Sequence, residues 1–235
     1  HYIEKIQKEA VSRNLIEENL SASERSLTRL ADMPITRYNK SRLLIDGNET
    51  FRSIFDGTES AERYILIQFF IIKHDDLSRE FQKKLIEKAK EKVKIYFLYD
   101  EIGSHKLPQS YLREMQIAGI NTSAFHTTKG KANRFQLNFR NHRKIVVVDG
   151  KIAYVGGHNV GDAYLGKDPK FGAWRDTHVK LEGPVVKEIQ FCFVEDWHWA
   201  TNEIPELNWE LEKAGDGREE ILMIASGPAD KLETC

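Results

Sequence analysis

The stretch "RYILIQFFIIKHDDLSREFQKKLIEKAKEKVKIYFLYD", residues 63–100, decides the fold class. Its first part, 63–72, is an almost continuous apolar run, which is typical of a strand buried on both faces. Residues 76–92 place their apolar side chains on one face of a helix, and 93–100 return to the buried-strand pattern. A strand, a helix and a second strand of these lengths predict a βαβ unit with parallel strands.

The same alternation continues on both sides of this unit. Residues 107–119 are typical of a helix that ends at a glycine, and 120–126 are typical of a third strand. The remaining elements are predicted to be a helical lead-in at 1–32, a strand at 42–45, a turn and helix at 46–61, a strand at 173–183 and a helix at 184–200. We therefore expect an α/β fold with a mixed, largely parallel sheet and helices on both faces.

Composition narrows the classes of function. The chain has 235 residues, of which 40% are hydrophobic and 30% charged, so it can bury a core. A formal net charge of -1 lacks the basic footprint of nucleic-acid binding, and no nucleic acid partner is expected. Cys192 and Cys235 form no disulfide framework, and no Cys/His spacing indicates zinc. The longest apolar stretch, 64–72, is too short to cross a bilayer.

Residues 140–159, "RNHRKIVVVDGKIAYVGGHN", predict a β-hairpin. Asp149–Gly150 is a strong signal for a two-residue turn between the strands. With that turn, the register brings Gly157 opposite His142. The absence of a side chain there would leave room for a ligand to approach the backbone.

Three side chains of the hairpin are suited to a phosphate. His142 and Lys144 are two apart on a strand and therefore share a face, while Asn159 follows the return strand. An ammonium and an amide can bind phosphate oxygens, and an imidazole can attack phosphorus or move a proton. The spacing alone leaves a second interpretation open, because an ordinary hairpin can carry the same short pattern without any function.

The full spacing is more specific. The order H-x-K, four residues, D, six residues, G-G-x-N resembles the signature of the phospholipase D superfamily. Flanking segments such as "EKAKEKVKIYFLYDEIGS", "WRDTHVKLEGPVV" and "FVEDWHWA" resemble the first catalytic half of bacterial cardiolipin synthases. The likeness extends from about Tyr38 to the apolar run "ILMIASGP".

This resemblance implies phosphatidyl transfer through a phosphohistidine, with no metal or other cofactor. His142 would be the nucleophile or its acid/base partner. Lys144, Asn159 and Gly157 would bind the phosphate. Asp149 would complete the catalytic motif by fixing the turn, which agrees with its place in the turn pattern.

A downstream carboxylate is expected to orient the histidine, and Asp176 in "WRDTH" is the candidate. The alternative for Asp176 is a salt bridge to Arg175 or another basic residue nearby. His158 and His178 are expected to be structural. His126 and the basic run 127–134 are expected to form either a solvated loop or a rim for anionic head groups.

Cardiolipin synthases carry two copies of the motif, with their histidines facing each other across one phosphate. A second H-x-K followed by four residues and Asp does not occur in this sequence. The resemblance therefore implies a helical lead-in at 1–33, a first phospholipase D-like catalytic domain at 34–218 and the start of a truncated second half at 219–235.

The expected partners are phosphatidylglycerol or a related anionic phospholipid, a membrane surface, and a second half or a homodimer mate. The whole protein is expected at the bacterial cell membrane, held by an anchor outside this soluble fragment, and the fragment is expected to be inactive as a monomer. Two alternatives stay open: a single-motif homodimeric phosphodiesterase or nuclease, and a non-catalytic lipid- or partner-binding module.

Overall fold

In the computed structural model, which describes residues 8, 10–125 and 141–225, helices and strands alternate along much of the chain. The helices are α1 (Ala22–Ala31), α2 (Gly47–Glu59), α3 (Asp76–Lys90), α4 (Gln109–Ile117) and α5 (Val185–Thr201). The strands are β1 (Thr36–Leu44), β2 (Tyr64–Phe69), β3 (Lys94–Asp100), β4 (Asn121–Phe125), β5 (Ile145–Val148), β6 (Ile152–Gly156), β7 (His178–Glu182) and β8 (Glu219–Ile221). The predicted βαβ unit is therefore present as β2, α3 and β3.

The described strands form one eight-stranded sheet in the order β4-β3-β2-β5-β6-β7-β1-β8. The pairs β2–β3 and β3–β4 are parallel, and the other neighbouring pairs are antiparallel. The mixed α/β fold is confirmed, but its parallel part is smaller than predicted. The reason is that β5 and β6 form a tight hairpin, whose strands are antiparallel, and that β5 also runs antiparallel to its other neighbour, β2.

β2 accounts for most of the apolar run at residues 63–72. All six of its residues are buried. Ile65 and Ile67 pack into a core with α2, α3 and α4, whereas Tyr64 and Leu66 pack into a second core with α5. Successive side chains of a strand point to opposite faces, so a strand covered on both faces must be apolar throughout. The predictions of a fully buried strand and of helices on both faces are confirmed.

Hydrogen bonds fix the segment after β6 against the start of α3. The Asp75 side chain caps α3 by accepting the Ser78 N–H, and it also accepts the Asp162 N–H at 2.8 Å. In return, the Asp162 carboxylate accepts the N–H groups of Asp76 and Leu77. These are the free N–H groups of a helix N-terminus, where carboxylates are favoured. The short 3-10 helix that begins at Asp162 is thereby held in place.

The β5–β6 hairpin turns at Asp149–Gly150, where both residues have positive φ (53° and 66°). The Lys151 N–H donates to the Val148 carbonyl at 2.9 Å, as expected for this turn. The ladder nevertheless pairs Val148 with Ile152, so Lys151 is an extra residue on the return strand. The predicted register, which assumed a two-residue loop, is therefore wrong by one residue.

The Asp149 carboxylate extends beyond its own turn. It accepts the backbone N–H groups of Glu62, Arg63 and Tyr64, at 2.9, 2.8 and 2.8 Å. These amides lie at the start of β2, which pairs with β5. The side chain therefore ties the hairpin to the neighbouring strand, a structural role broader than fixing one turn.

The outer segments pack on the same domain. Leu15, from the predicted lead-in, is buried in a small cluster with Leu211. β8 pairs with β1 and so extends the same sheet. The predicted division into domains, with its boundary at 219, stays a prediction.

Candidate active site

The predicted site residues gather at one edge of the sheet. β2 ends at this edge and β5 begins there, because the two strands are antiparallel and pair Gln68 with Ile145. β6 ends and β7 begins at the same edge, where Gly156 pairs with His178. Segments that precede β5, follow β6 and precede β7 are consequently neighbours. The carboxyl ends of parallel strands, here β2 and β3, are a common place for ligand sites in α/β folds.

His142 is exposed, but the residues on both sides of it are fixed. The Asn141 N–H donates to Oδ2 of buried Asp100, at the end of β3, over 3.2 Å. On the other side, Arg143 Nη1 forms an ion pair of 2.8 Å with Asp196 on α5. The backbone that carries the imidazole is therefore held by the end of β3 and by α5, while the ring itself remains accessible.

Lys144 approaches the same imidazole from the buried side. Its Nζ lies 3.1 Å from His142 Nδ1 and donates to the His142 carbonyl oxygen at 2.5 Å. Phe70, just after β2, covers both groups: its ring centroid is 4.3 Å from that of His142 and 5.5 Å from the ammonium. Phe70 was not identified from the sequence, where it is one of many apolar residues in a run.

The contact between lysine and histidine constrains the imidazole proton. An ammonium can only donate hydrogen bonds, so Nδ1 must accept in this contact. A neutral His142 ring then carries its proton on Nε2. In this arrangement Nε2 is suited to give a proton, and it can attack only after the proton has moved to Nδ1.

Burial lowers the pKa of Lys144 to about 8, and the nearby Asp176 carboxylate opposes that shift. The side chain is only 4% exposed. Lys144 is thus a weakly hydrated cation that is still mostly charged at neutral pH. Such a group interacts more strongly with an anion than a surface lysine does, because less water competes for it.

Asn159 is buried, and its amide is oriented by one hydrogen bond: Oδ1 accepts the Ile71 N–H at 2.9 Å, immediately beyond β2. The Asn159 side chain is also close enough to the Tyr164 hydroxyl to lower the pKa of that phenol, against the larger, opposite effect of burial. Tyr164, on the short 3-10 helix, is a second neighbour of the site that the sequence did not indicate.

The glycine pair makes room for β7 and not for a ligand. A Cβ on Gly157 would lie 1.9 Å from Asp176 Oδ1, and one on Gly156 would lie 2.4 Å from the Thr177 carbonyl oxygen. The Gly157 N–H already donates to that carbonyl oxygen at 2.9 Å. The expectation that these glycines open a space for a ligand beside His142 is therefore wrong, while phosphate binding by Gly157 stays a prediction.

Asp176 lies against Gly157, with its Oδ1 accepting the Thr177 N–H at 2.8 Å. Its charge acts on Lys144, His158 and His178. Its alternative role as a salt-bridge partner of Arg175 is not what the contacts favour, since Arg175 Nη1 donates instead to backbone oxygens and to Thr177 Oγ1. Orientation of His142 by Asp176 stays a prediction.

His158 and His178 form a buried pair behind the site. The His158 N–H donates to His178 Nδ1 at 3.3 Å, and the ring centroids are 5.6 Å apart. Burial lowers both pKa values, that of His178 to about 3, so both rings are neutral. Their expected structural character agrees with this burial. His126 and residues 127–134 lie outside the described residues.

Every described helix is too short or too polar to cross a lipid bilayer. Within the described residues, no group of three or more His, Cys, Asp or Glu side chains is arranged so that it could bind a metal ion.

The fold is shared with solved structures. NucT from Helicobacter pylori superposes with a TM-score of 0.54 at 16% identity, covering 69% of this chain and 98% of that one. Nuc from Salmonella typhimurium, a phospholipase D family member, gives 0.52 at 15% identity, covering 69% and 96%. Phosphatidylserine synthase of Haemophilus influenzae gives 0.51 at 13% identity, covering 83% and 51%. At these identities the likeness shows the fold alone.

Sequence comparison is more specific. Cardiolipin synthase A of Pseudomonas fluorescens Pf-5 is 52% identical over 216 residues, which are 91% of this chain and 44% of that protein. Cardiolipin synthase A of Pseudomonas putida GB-1 is 47% identical over 229 residues, or 94% and 47%. The chain thus spans about half the length of the curated relatives it matches. The family model described as "Cardiolipin synthase, PLD-like domain" matches residues 55–197, and this chain accordingly belongs to the cardiolipin synthase family.

Proposed function

We propose that this chain is the first catalytic half of an enzyme that transfers a phosphatidyl group between two phosphatidylglycerol molecules, giving cardiolipin and glycerol. The observation that carries the proposal is the setting of His142, an accessible imidazole beside a buried ammonium at the sheet edge. Family membership supplies the substrate class. An exposed nucleophile with buried, fixed phosphate-binding groups behind it is suited to displacement at phosphorus.

The reaction takes two balanced steps. In the first, His142 attacks phosphorus, the N–P bond forms, and the bond from phosphorus to one glycerol head group breaks. The departing oxygen takes a proton from an acid on the opposite side. In the second, the hydroxyl of another phosphatidylglycerol gives its proton back to that group and attacks phosphorus, which breaks the N–P bond and frees His142.

Lys144 has two tasks in this scheme. Its ammonium would bind a non-bridging phosphate oxygen together with an N–H of Asn159, neutralising charge in the transition state. Movement of the ammonium toward the phosphate would also release His142 Nδ1. We assign to Asp176 the next role, that of accepting a hydrogen bond from Nδ1–H once the ring proton has moved to Nδ1, so that Nε2 carries the lone pair that attacks.

The acid on the opposite side is proposed to be a histidine of a second half. In-line displacement needs a nucleophile and an acid on opposite faces of one phosphate. The proposal is supported by the relatives, which are about twice as long as this chain. We expect the chain by itself, as a monomer, to give little or no cardiolipin.

The test follows labelled phosphorus from phosphatidylglycerol. The chain is mixed with the C-terminal remainder of the Pseudomonas fluorescens enzyme, and protein-bound label is tested for the acid lability of a phosphohistidine. The His142→Ala variant should carry no label. The matched variant His105→Ala, which changes an exposed histidine elsewhere in the chain, should be labelled like the wild type. Label on His142→Ala would refute the assignment.

The same experiment decides the alternative of a single-motif homodimeric phosphodiesterase or nuclease. The likeness in fold covers nearly all of the NucT and Nuc chains, so this fold does occur as a chain of its own. A homodimer would turn over a phosphodiester without any second half, and its rate per chain would rise with protein concentration. A concentration-independent rate from a species shown to be monomeric by light scattering would contradict both schemes.

A further inference from the structure

Residues 166–175, named the 166–175 loop, present an apolar ring among cations beside the proposed phosphate site. Phe171 is 55% exposed. Lys170 Nζ lies 5.6 Å from the centroid of its ring, and Lys167 is exposed as well. One exposed apolar side chain is common on protein surfaces. Whether Phe171 belongs to an interaction surface therefore depends on the residues around it.

A continuous series of contacts joins Phe171 to the site. The Asn159 side chain lies close to the Tyr164 hydroxyl and influences the pKa of that phenol. The Tyr164 ring meets that of Trp174 edge to face, with 5.0 Å between centroids. Trp174 in turn meets Phe171 at 6.0 Å, again edge to face. The exposed phenyl is thus the outer end of a packed row of side chains whose inner end is the proposed phosphate-binding amide.

The loop is held in a defined shape by its own backbone. The N–H groups of Phe171 and Gly172 both donate to the Asp168 carbonyl oxygen, at 3.2 and 2.9 Å. The Asp168 carboxylate accepts the Lys170 N–H at 2.8 Å. Asp168 is the single acidic residue among the three basic ones in "GKDPKFGAWR". The loop therefore has an excess of positive charge. Lys167 Nζ lies 3.4 Å from Asp162 Oδ1, but the lysine side chain is still 56% exposed.

A second apolar patch adjoins the loop. Arg175 Nη1 donates to the Ile45 carbonyl oxygen at 3.1 Å, which joins the loop to the end of β1. Ile45 and Leu43 are 52% and 54% exposed. They lie on one face of the strand, because alternate residues of a strand share a face. The Arg175 contact therefore joins the 166–175 loop to a strand end that carries exposed apolar side chains.

We propose that the 166–175 loop, together with Ile45 and Leu43, docks on a bilayer that contains anionic phospholipid. Phe171 inserts at the boundary between head groups and acyl chains, and Lys167 and Lys170 contact lipid phosphates. The inference rests on the proposed function and adds which face of the domain meets the membrane.

A lipid surface is the occupant that fits because it offers apolar depth and negative charge in the same place. An acidic protein surface would complement the charge of the lysines but would offer the Phe171 ring no apolar layer to insert into. The row of contacts from Phe171 to Asn159 also places the docking surface next to the groups that bind the lipid phosphate in our proposal.

The test is sedimentation of the chain with vesicles of phosphatidylglycerol and phosphatidylethanolamine, compared with vesicles of phosphatidylcholine alone. Phe171→Ala should lower the partition coefficient about tenfold on the anionic vesicles. Replacing Lys167 and Lys170 by Gln should lower it by roughly tenfold or more, and only where the lipid is anionic. The matched control is Ile117→Ala on α4, which removes a side chain that is 78% exposed and lies near β4 at the other end of the sheet.

The inference is overturned if the wild type does not sediment with anionic vesicles, or if Phe171→Ala and Ile117→Ala sediment alike. A short-chain phosphatidylglycerol, dissolved below its micelle concentration, separates docking from chemistry. On that substrate Phe171→Ala should form as much phosphoenzyme as the wild type. Vesicle binding without phosphoenzyme on any form of phosphatidylglycerol would instead refute the proposed function and leave the docking surface intact.

Discussion

Replacement of Asp149 tests whether the aspartate of the motif works through structure. Its carboxylate accepts three backbone N–H groups and is 7% exposed. Asp149→Ala leaves all three donors without this partner. Leaving the buried Tyr64 N–H without an acceptor should destabilise the fold by about 1–3 kcal/mol. The N–H groups of the exposed residues Glu62 and Arg63 can partly compensate by hydrogen-bonding to water. With the strain of alanine at positive φ, we expect a total loss of about 3–4 kcal/mol in the free energy of unfolding.

Two further variants separate the causes. Asp149→Gly relieves the backbone strain and isolates the lost hydrogen bonds, so it should destabilise by about 1 kcal/mol less than alanine. Asp149→Asn keeps one acceptor oxygen and tolerates the left-handed conformation, so it should lose about half as much. Asp216→Ala, which removes a highly exposed carboxylate paired with Lys40, is the control and should leave the unfolding midpoint essentially unchanged.

The measurement is urea unfolding followed by far-UV circular dichroism, with the midpoint and the slope both fitted. A loss below about 1 kcal/mol for Asp149→Ala would refute the reasoning, because buried donors cannot lose a charged acceptor at so small a cost.

Three other changes should have readable effects. Stability should fall as the pH drops from about 6.5 toward 3, because burial lowers the pKa of His178 to about 3 and the unfolded chain then takes up the proton first. His178→Asn should reduce the dependence of stability on pH by up to about 1.4 kcal/mol per pH unit, measured by urea unfolding at several pH values. A pH dependence unchanged from that of the wild type would contradict this assignment. Binding of inorganic phosphate, followed by phosphorus NMR, should weaken as the pH rises past about 8, where Lys144 loses its proton; Lys144→Arg should abolish this alkaline loss, and a wild-type affinity that is flat to pH 10 would contradict the assignment. Gly157→Ala should destabilise by about 1–3 kcal/mol through its clash with Asp176, and Asp176→Ala should recover part of that loss in the double variant, so additive losses would argue against the clash.

The sequence predicted those parts of the fold that depend on local pattern. The run 63–72 and the helix pattern 76–92 correspond to β2 and α3, since burial on two faces and on one face leaves different periods. β1 was predicted at 42–45 but spans Thr36–Leu44. Four consecutive residues of β1 are exposed, so its strand character depends on pairing with β7 and β8 and leaves no apolar pattern.

The sequence indicated candidate site residues, whose roles stay predictions, but it indicated little of their geometry. His142, Lys144, Asn159 and Asp176 lie on segments that the order of strands brings to one sheet edge. The glycine pair was misinterpreted because its neighbour is β7, which follows about twenty residues later in the chain. Such non-local contacts carry no signal in the spacing of the motif itself.

The length of β5 gives the motif spacing a mechanical meaning. The four residues between Lys144 and Asp149 are the whole of β5, a span of roughly 13 Å at about 3.3 Å per residue. Lys144, just before this strand, belongs to the proposed phosphate site, and Asp149, just after it, accepts hydrogen bonds from the amides at the start of β2. Adding or deleting one residue in β5 would reverse the orientation of one end relative to the other, so either the Asp149 carboxylate or the Lys144 ammonium would point to the wrong face. The four-residue spacing is therefore fixed by the length of strand needed to anchor Asp149 to β2 while Lys144 is oriented toward the site.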